Sequence, residues 1–149
     1  MSNLTTRLAT ASDISAVASL FDLYRQFYEQ APDHALATAF IHDRVTKNES
    51  VIVVAEAQGV IVGFCQLYPT FCSVEAKPIY TLYDLFVAQS ARKLGAGSAL
   101  LLAAEQHALQ NGFARMDLTT AKTNLPAQAL YESLDWRRDE VFYAYSKAV

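Results

Sequence analysis

Two glycines, Gly95 and Gly97, stand one residue apart at the start of the chain's longest apolar helix pattern. Only five glycines occur in 149 residues, so the close pair marks a place where the backbone needs unusual freedom. A strand pattern rich in aromatic and aliphatic residues covers residues 79–87, and the helix pattern runs from Gly95 to Gln110. The pair therefore joins a strand to a helix, which requires a sheet packed against helices.

The other segments alternate between strand and helix patterns in the order β-α-α-β-β-β-α-β-α-β. Predicted strands cover residues 4–9, 51–56, 60–68, 79–87, 114–120 and 140–146. Predicted helices follow the cap residues 10–13, begin at Pro32, run from Gly95 to Gln110, and run from Pro126 to about Leu134. No repeat or linker interrupts this order. The patterns predict one mixed α/β domain over residues 1–149, with a mostly antiparallel sheet of six to seven strands and about four helices.

Composition excludes several classes of protein. The formal net charge of −3 offers no basic surface for nucleic acid. No run of about 18 apolar residues is present, and the first residues lack the pattern of a signal peptide. Cys65 and Cys72 form no Cys-x-x-Cys pair, and three scattered histidines do not complete a zinc site. We expect a cytoplasmic protein with no metal, no nucleic-acid partner and no membrane partner.

The N-terminus of the predicted long helix is suited to bind an anion. Its first N–H groups have no acceptor inside the helix, and the helix dipole is positive at this end. Gly95 and Gly97 let a ligand approach the backbone closely, and Arg92 and Lys93 add positive charge. A P-loop would need a lysine after the second glycine, and a dinucleotide-binding loop would need a small residue where Leu100 stands. A tight entry into a packed helix explains the glycines equally well when they are taken alone.

The spacing Arg92-x-x-Gly95-x-Gly97 after Leu85-Phe86-Val87 resembles the acetyl-CoA motif of the GNAT superfamily of N-acetyltransferases. The segment from Asn124 through Tyr131 resembles the family's Asn-x-x-Ala-x-x-x-Tyr pattern, and residues 7–14 resemble its usual beginning. Residues 83–87 are similar to the polyamine- and histone-modifying branch. This resemblance implies an enzyme that uses acetyl-CoA as cosubstrate and requires no metal.

The resemblance also implies roles for individual residues. Backbone groups of the strand would hold the pantetheine arm, N–H groups of the loop would hold the pyrophosphate, and Asn124 would support the arm. The implied acetyl-CoA contacts are Leu85, Phe86, Val87, Arg92, Lys93, Leu94, Gly95, Ala96, Gly97, Ser98 and Asn124. Without the resemblance, Asn124 would be interpreted as a helix cap or turn residue, and Tyr131 as a core aromatic with a polar tip.

Acetyl transfer by direct attack needs a proton acceptor for the amine and a proton donor for the leaving thiolate. Tyr131 is the implied donor, and neither cysteine is needed as a nucleophile. Relatives often carry a glutamate where Tyr83 stands, and the neighbouring Asp84 faces the other side of a regular strand. Asp84 is therefore the candidate acceptor through water only if a bulge turns it, with Tyr83 lining the cleft. A buried structural carboxylate is the alternative interpretation of Asp84.

A second departure from the family lies just after the tyrosine, where Asp135-Trp136 replaces the usual Gly-Phe pair. Because aspartate tolerates the left-handed conformation better than most residues, we expect Asp135 to form the same turn as the glycine of the family pattern.

The acceptor is expected to be a small amine such as a polyamine, or a protein lysine. Near Tyr24, the residues Tyr28, Glu29, Asp33 and His34 combine acidic and aromatic groups that suit a cationic amine. A solvated helix end explains these residues as well. Aromatic residues in the last predicted strand suggest a homodimer. The alternative function is a CoA-binding sensor without catalytic activity.

Overall fold

The computed structural model describes residues 3–149, which contain five β-strands and four α-helices joined by short turns. The strands are β1 (Leu4–Leu8), β2 (Val51–Ala57), β3 (Val60–Cys72), β4 (Lys77–Val87) and β5 (Met116–Asp117). The helices are α1 (Ile14–Phe27), α2 (His34–Thr46), α3 (Ala96–Gln110) and α4 (Leu125–Ser133). The predicted element order holds as far as α4.

The strands form one mixed sheet in the order β1-β2-β3-β4-β5. The first four pair antiparallel, and β5 runs parallel to β4 through two residue pairs. The prediction of six to seven strands is therefore wrong, because residues 3–149 contain five. Residues 140–146 form no strand despite their alternating pattern, since a strand needs a neighbouring edge for its backbone groups.

Helices cover both faces of the sheet. Ile52, Val54 and Phe64 share one core cluster with α1 and α2. Residues next to these in the strands point to the opposite face of the sheet, because side chains alternate along a strand. On that face, Cys65 Sγ lies 3.9 Å from the Leu100 carbonyl oxygen of α3. A Cβ at Gly63, on this same face, would lie 3.1 Å from the Phe86 carbonyl oxygen and 3.3 Å from a Leu100 methyl. The absence of a side chain at Gly63 therefore leaves room for α3 against the sheet.

A β-bulge interrupts the pairing of β3 with β4. Gln66 lies opposite Asp84 while the next residue, Leu67, lies opposite Leu82, so Tyr83 has no residue opposite it. A bulge of this kind bends the strand and changes the direction of its side chains. The condition stated above for Asp84, a bulge in the fourth strand, is therefore met.

The chain forms two compact units, one ending at Thr119 and the other running from Thr120 to Val149. The first holds the sheet and helices α1 to α3. The second holds α4, which begins at its N-cap residue Asn124 and ends in a turn where Asp135 adopts a φ of 67°. The expectation that Asp135 tolerates the left-handed conformation of this turn is confirmed.

Candidate active site

The edge of β4 that faces β5 is largely unpaired. β5 pairs only with Tyr80 and Thr81, and in the described residues 3–149 no strand pairs with this edge from Leu82 to Val87. Exposed N–H and C=O groups on a strand edge can bind an extended ligand as an added strand. The segment that the family resemblance assigns to the pantetheine arm, Leu85 to Val87, therefore lies on an unpaired strand edge.

The loop after β4 turns its backbone sharply before α3 begins. Lys93 and Gly95 have positive φ angles of 75° and 81°, and Gly95 is the N-cap of α3. No oxygen within residues 3–149 accepts a hydrogen bond from the N–H groups of Gly95, Ala96, Gly97 or Ser98. Four unpaired donors at a helix N-terminus form a site for an anion. The chemistry of this loop fits a pyrophosphate.

Arg92 fixes the loop to the end of β4. Its Nε donates a hydrogen bond to the Val87 carbonyl oxygen at 3.1 Å, and its guanidinium lies 5.7 Å from the centre of the Phe86 ring. Arg92 therefore has a structural role in the loop besides contributing positive charge. Lys93 and Leu94 are exposed, whereas Ala96 is buried beneath the first turn of α3.

Asp84 is the buried carboxylate of this region, with 2% of its surface exposed. The Gln66 side-chain amide donates a hydrogen bond to its Oδ2, and Ser50 Oγ donates to the Gln66 amide oxygen at 2.7 Å. The Tyr24 hydroxyl donates to the Tyr83 carbonyl oxygen at 2.9 Å. These bonds fix the carboxylate and the bulge beside it in one arrangement.

Burial raises the pKa of Asp84 to about 6, although the hydrogen bond that the Gln66 amide donates acts in the opposite direction. The same environment raises the pKa of Tyr24, through burial and then through the Asp84 charge, and raises that of Tyr68 to about 12. At neutral pH, Asp84 is therefore an ionised carboxylate with a pKa close to that of an effective proton acceptor.

A cavity of about 330 Å³ opens at Asp84. It is lined by aromatic side chains and by one acidic and one basic group: Phe21, Tyr24, Arg25, Phe40, Tyr68, Tyr83 and Asp84. The bulge brings Tyr83 and Asp84, which are adjacent in sequence, to this one cavity. A small ligand with a cationic group fits such a lining, because aromatic faces and a carboxylate both attract cations.

We expect the Asp84→Asn variant to be more stable than the wild type at pH 8 by up to about 3 kcal/mol, and to lose that advantage at pH 4. Folding raises the pKa of Asp84 from 3.8 to about 6, so its favourable contribution is present below the unfolded value and is lost as pH rises through 6. Urea unfolding of both proteins at the two pH values measures the difference.

Asp13→Asn is the control of opposite sign for that measurement. A hydrogen bond from Arg7 lowers the pKa of Asp13, so the contribution of this buried carboxylate is present at pH 8 and is lost on acidification. An equal difference between Asp84→Asn and wild type at pH 4 and pH 8 would contradict the raised pKa.

The second unit carries the other two residues that the family pattern implies. The Asn124 Oδ1 accepts a hydrogen bond from the Ala127 N–H at 3.2 Å, so Asn124 caps α4. The Tyr131 ring lies 5.9 Å from the Trp136 ring, and the Tyr131 carbonyl oxygen accepts the N–H of Trp136 at 3.1 Å. The helix-cap interpretation of Asn124 thus describes its local structure.

None of the four residues predicted to bind the acceptor lines the cavity. Asp33 is the N-cap of α2 and accepts the Leu36 N–H at 3.0 Å, and His34 contacts the Ser19 hydroxyl at 3.1 Å. Tyr28 packs edge-on against Tyr24, and Glu29 has a positive φ of 65° in the exposed turn. Their role in binding the acceptor stays a prediction. Asp33 has a structural role as well, because it caps α2.

Sequence reasoning missed five residues near Asp84, namely Phe21, Arg25, Phe40, Gln66 and Tyr68. Phe21 belongs to the core cluster on the buried face of α1, so its position in the helix pattern indicates a core residue. Strand alternation places Gln66 and Tyr68 of β3 on one face together, but nothing in the sequence pairs Gln66 with Asp84.

None of the helices in residues 3–149 combines the length and the apolar character needed to cross a bilayer. The same residues contain no group of three or more His, Cys, Asp or Glu side chains placed to hold a metal ion.

The chain is similar to proteins of one known family. The family model of the acetyltransferase (GNAT) family matches residues 17–136. An uncharacterized N-acetyltransferase of Bacillus subtilis strain 168, YhfO, is 48% identical over 139 residues, which are 93% of each chain. A probable acetyltransferase of known crystal structure superposes with a TM-score of 0.92 at 35% identity over 97% of each chain.

The likeness extends to more distant structures. An aminoglycoside N-acetyltransferase, AAC(6')-Iy, solved in complex with CoA, has a TM-score of 0.83 at 18% identity and covers 100% of this chain and 97% of its own, which shows a shared fold. The family match and the close relatives together show more than the fold. The chain belongs to the acetyltransferase (GNAT) family and is an acetyl-CoA-dependent acyltransferase.

Proposed function

We propose that the protein transfers the acetyl group of acetyl-CoA to a primary amine bound in the cavity at Asp84. The observation that carries this proposal is the buried carboxylate at the bulge of β4, which opens into a cavity lined with aromatic side chains. The same strand continues along its open edge into the loop before α3. An amine site and a site for CoA therefore share one strand.

The amine must lose a proton before it can attack. A lysine-like amine with a pKa of about 10.4 is uncharged only about 0.04% of the time at pH 7. We assign Asp84 the role of proton acceptor, directly or through one water, because its pKa of about 6 leaves it ionised yet basic enough at neutral pH. Tyr83 lines the cavity beside it, and its carbonyl oxygen accepts the Tyr24 hydroxyl.

Acetyl-CoA supplies the thioester that the amine attacks. The N–H groups at the start of α3 and the backbone of Leu85, Phe86 and Val87 are proposed to bind it, and Asn124 to support its arm. Tyr131 is proposed to protonate the departing thiolate. Direct attack by the amine needs no acyl-enzyme intermediate. Cys65 is unsuited to form one, because burial raises the pKa of its thiol to about 12 and keeps it protonated.

Two acceptor classes follow from the resemblance to the polyamine- and histone-modifying branch, a small polyamine-like molecule and a protein lysine. Both present a primary amine. The cavity size and the aminoglycoside N-acetyltransferase among the proteins of the same fold support the small molecule. We place this activity in the cytoplasm, which supplies acetyl-CoA and keeps Cys65 and Cys72 as the free thiols seen in the structure.

The proposal is tested by adding a panel of primary amines to the protein and acetyl-CoA and measuring release of the free CoA thiol. Turnover is expected with small amines, together with the acetylated product. Binding of acetyl-CoA without turnover across a broad panel would instead identify a CoA-binding sensor. Failure to bind CoA would overturn both functions.

We also propose that the protein is a homodimer, and expect light scattering to give twice the 16.4 kDa mass of the chain. The support lies in residues 141–145, where Val141, Phe142, Tyr143 and Tyr145 are 79–93% exposed. A contiguous apolar segment of this kind indicates an interaction surface. The double variant Phe142→Ser and Tyr143→Ser is expected to lower the mass measured by light scattering toward that of a monomer.

Leu109→Ser is the matched control for this pair, because Leu109 of α3 is an equally apolar residue with 72% exposure. It should leave the mass unchanged. A monomer mass for the wild type at the concentration of the activity assay would refute the dimer.

A further inference from the structure

Arg25 lines the cavity and carries a guanidinium nitrogen that has no partner among residues 3–149. Its Nη1 is fully buried and has no hydrogen-bond partner in residues 3–149, and its guanidinium forms no ion pair with any of them. Arg25 lies in the last turn of α1 and lines the same cavity as Asp84. The other arginine near this helix pair, Arg44, is paired with Glu49 at 3.1 Å and stacks on Phe40.

A buried guanidinium nitrogen without an acceptor is unfavourable, because that atom has lost its contact with water and gained no hydrogen bond in return. Buried polar atoms are paired in the great majority of native structures, so an unpaired one indicates a missing partner. Guanidinium binds the oxygens of carboxylates and phosphates, often through two parallel hydrogen bonds. The missing partner is therefore expected to be an anion.

Asp84 and Arg25 carry opposite charges, line one cavity and yet do not contact each other. A cavity of about 330 Å³ lies at the lower end of the range for small-molecule sites, so one small ligand in it would lie near both groups. A ligand with an ammonium and a carboxylate would satisfy the two groups at once. A polyamine would instead bring a second positive charge to Arg25.

Building on the proposed function, we infer that the acceptor is a small amine that also carries a carboxylate, such as a free amino acid, with its amine at Asp84 and its carboxylate at Arg25. The aromatic residues Phe21, Tyr24 and Phe40 then enclose the apolar part between the two charged ends. Arg25 is a specificity residue in this account, since it binds the part of the acceptor that does not react.

The test compares each amino acid with the amine that differs from it only by loss of the carboxylate. Suitable pairs are phenylalanine with phenethylamine, lysine with 1,5-diaminopentane, and γ-aminobutyrate with propylamine. In the wild type, kcat/KM is expected to favour the carboxylate-bearing member of the best pair by about tenfold to a hundredfold, the range of a charge-assisted hydrogen bond. Arg25→Met should bring that ratio close to one, and Arg25→Lys should retain part of it.

Arg44→Met is the matched control and should keep the preference, because Arg44 does not line the cavity. Melting temperatures identify any variant that fails to fold, and the substrate pairs test the inference on the wild type alone. Equal kcat/KM within every pair, or better use of the amine without a carboxylate, would overturn the inference and leave the proposed function intact. No turnover of either member, with acetyl-CoA bound, would overturn both.

Discussion

Asp84→Asn is expected to lower kcat by about a hundredfold or more at neutral pH, the usual effect of removing a general base. Asparagine has almost the same shape and can still accept the hydrogen bond from Gln66, so the cavity should persist. What it lacks is the ability to take a proton from the amine. The measurement is the initial rate of thiol release with saturating acetyl-CoA and saturating amine.

The pH profile separates this chemical role from a structural one. Wild-type activity should rise with pH through about 6, as the Asp84 carboxyl loses its proton, and this acidic limb should be absent in Asp84→Asn. Asp13→Asn, a change at a buried carboxylate outside the cavity, should lower stability at neutral pH but retain the limb. A loss in turnover of less than tenfold for Asp84→Asn would remove Asp84 from the mechanism.

Replacing both Gly95 and Gly97 with alanine is expected to weaken acetyl-CoA binding by about a hundredfold, the equivalent of one or two charge-assisted hydrogen bonds. Two new Cβ atoms would stand where the phosphates are proposed to approach the first turn of α3. Stability should change little, because two effects on it oppose each other. Alanine at Gly95, with a φ of 81°, costs about 1 kcal/mol, and alanine at Gly97 inside the helix gains about 0.5–1 kcal/mol.

Gly112→Ala is the control for the strain at Gly95. Gly112 has a φ of 76°, and a Cβ there would meet open space, as at Gly95, but Gly112 follows the opposite end of α3. It should lower the melting temperature and leave the dissociation constant for acetyl-CoA unchanged by calorimetry. An unchanged constant in the Gly95 and Gly97 variant would contradict the binding role of the loop.

The sequence predicts best those features that depend on local periodicity. Residues 95–110 were expected to form a helix, and α3 begins at Ala96 with Gly95 as its left-handed cap, because only the backbone geometry of a few residues is involved. The strand pattern of residues 60–68 was less informative. β3 continues to Cys72, since its pairing with β4 extends the hairpin past Pro69.

The candidate site depends on register, which local patterns do not determine. Alternation alone places Tyr83 and Asp84 on opposite faces, and the bulge that changes this arises from the pairing of two strands. The sequence does not single out Arg25 either, because basic residues are common in the last turn of a helix. Only the tertiary arrangement buries its Nη1 and places Arg25 in the lining of the Asp84 cavity.

The strand predicted for residues 140–146 fails for a related reason. Alternation of Val141, Tyr143 and Tyr145 with Phe142 and Ala144 fits a pleated strand. A strand forms only where a neighbouring backbone edge is available, and no residue of the described chain pairs with this segment. The pattern therefore indicates a capacity for pairing, which the proposed dimer would use.

A crystal structure of the protein with CoA and the best amine from the panel tests whether the amine is activated at Asp84. The measured quantity is the distance from the amine nitrogen to the nearest Asp84 carboxylate oxygen. We expect the amine nitrogen to lie about 3 Å from a carboxylate oxygen of Asp84, or about 3 Å from a single water that is hydrogen-bonded to Asp84. An amine nitrogen bound outside the cavity formed by Phe21, Tyr24, Tyr83 and Asp84 would contradict it.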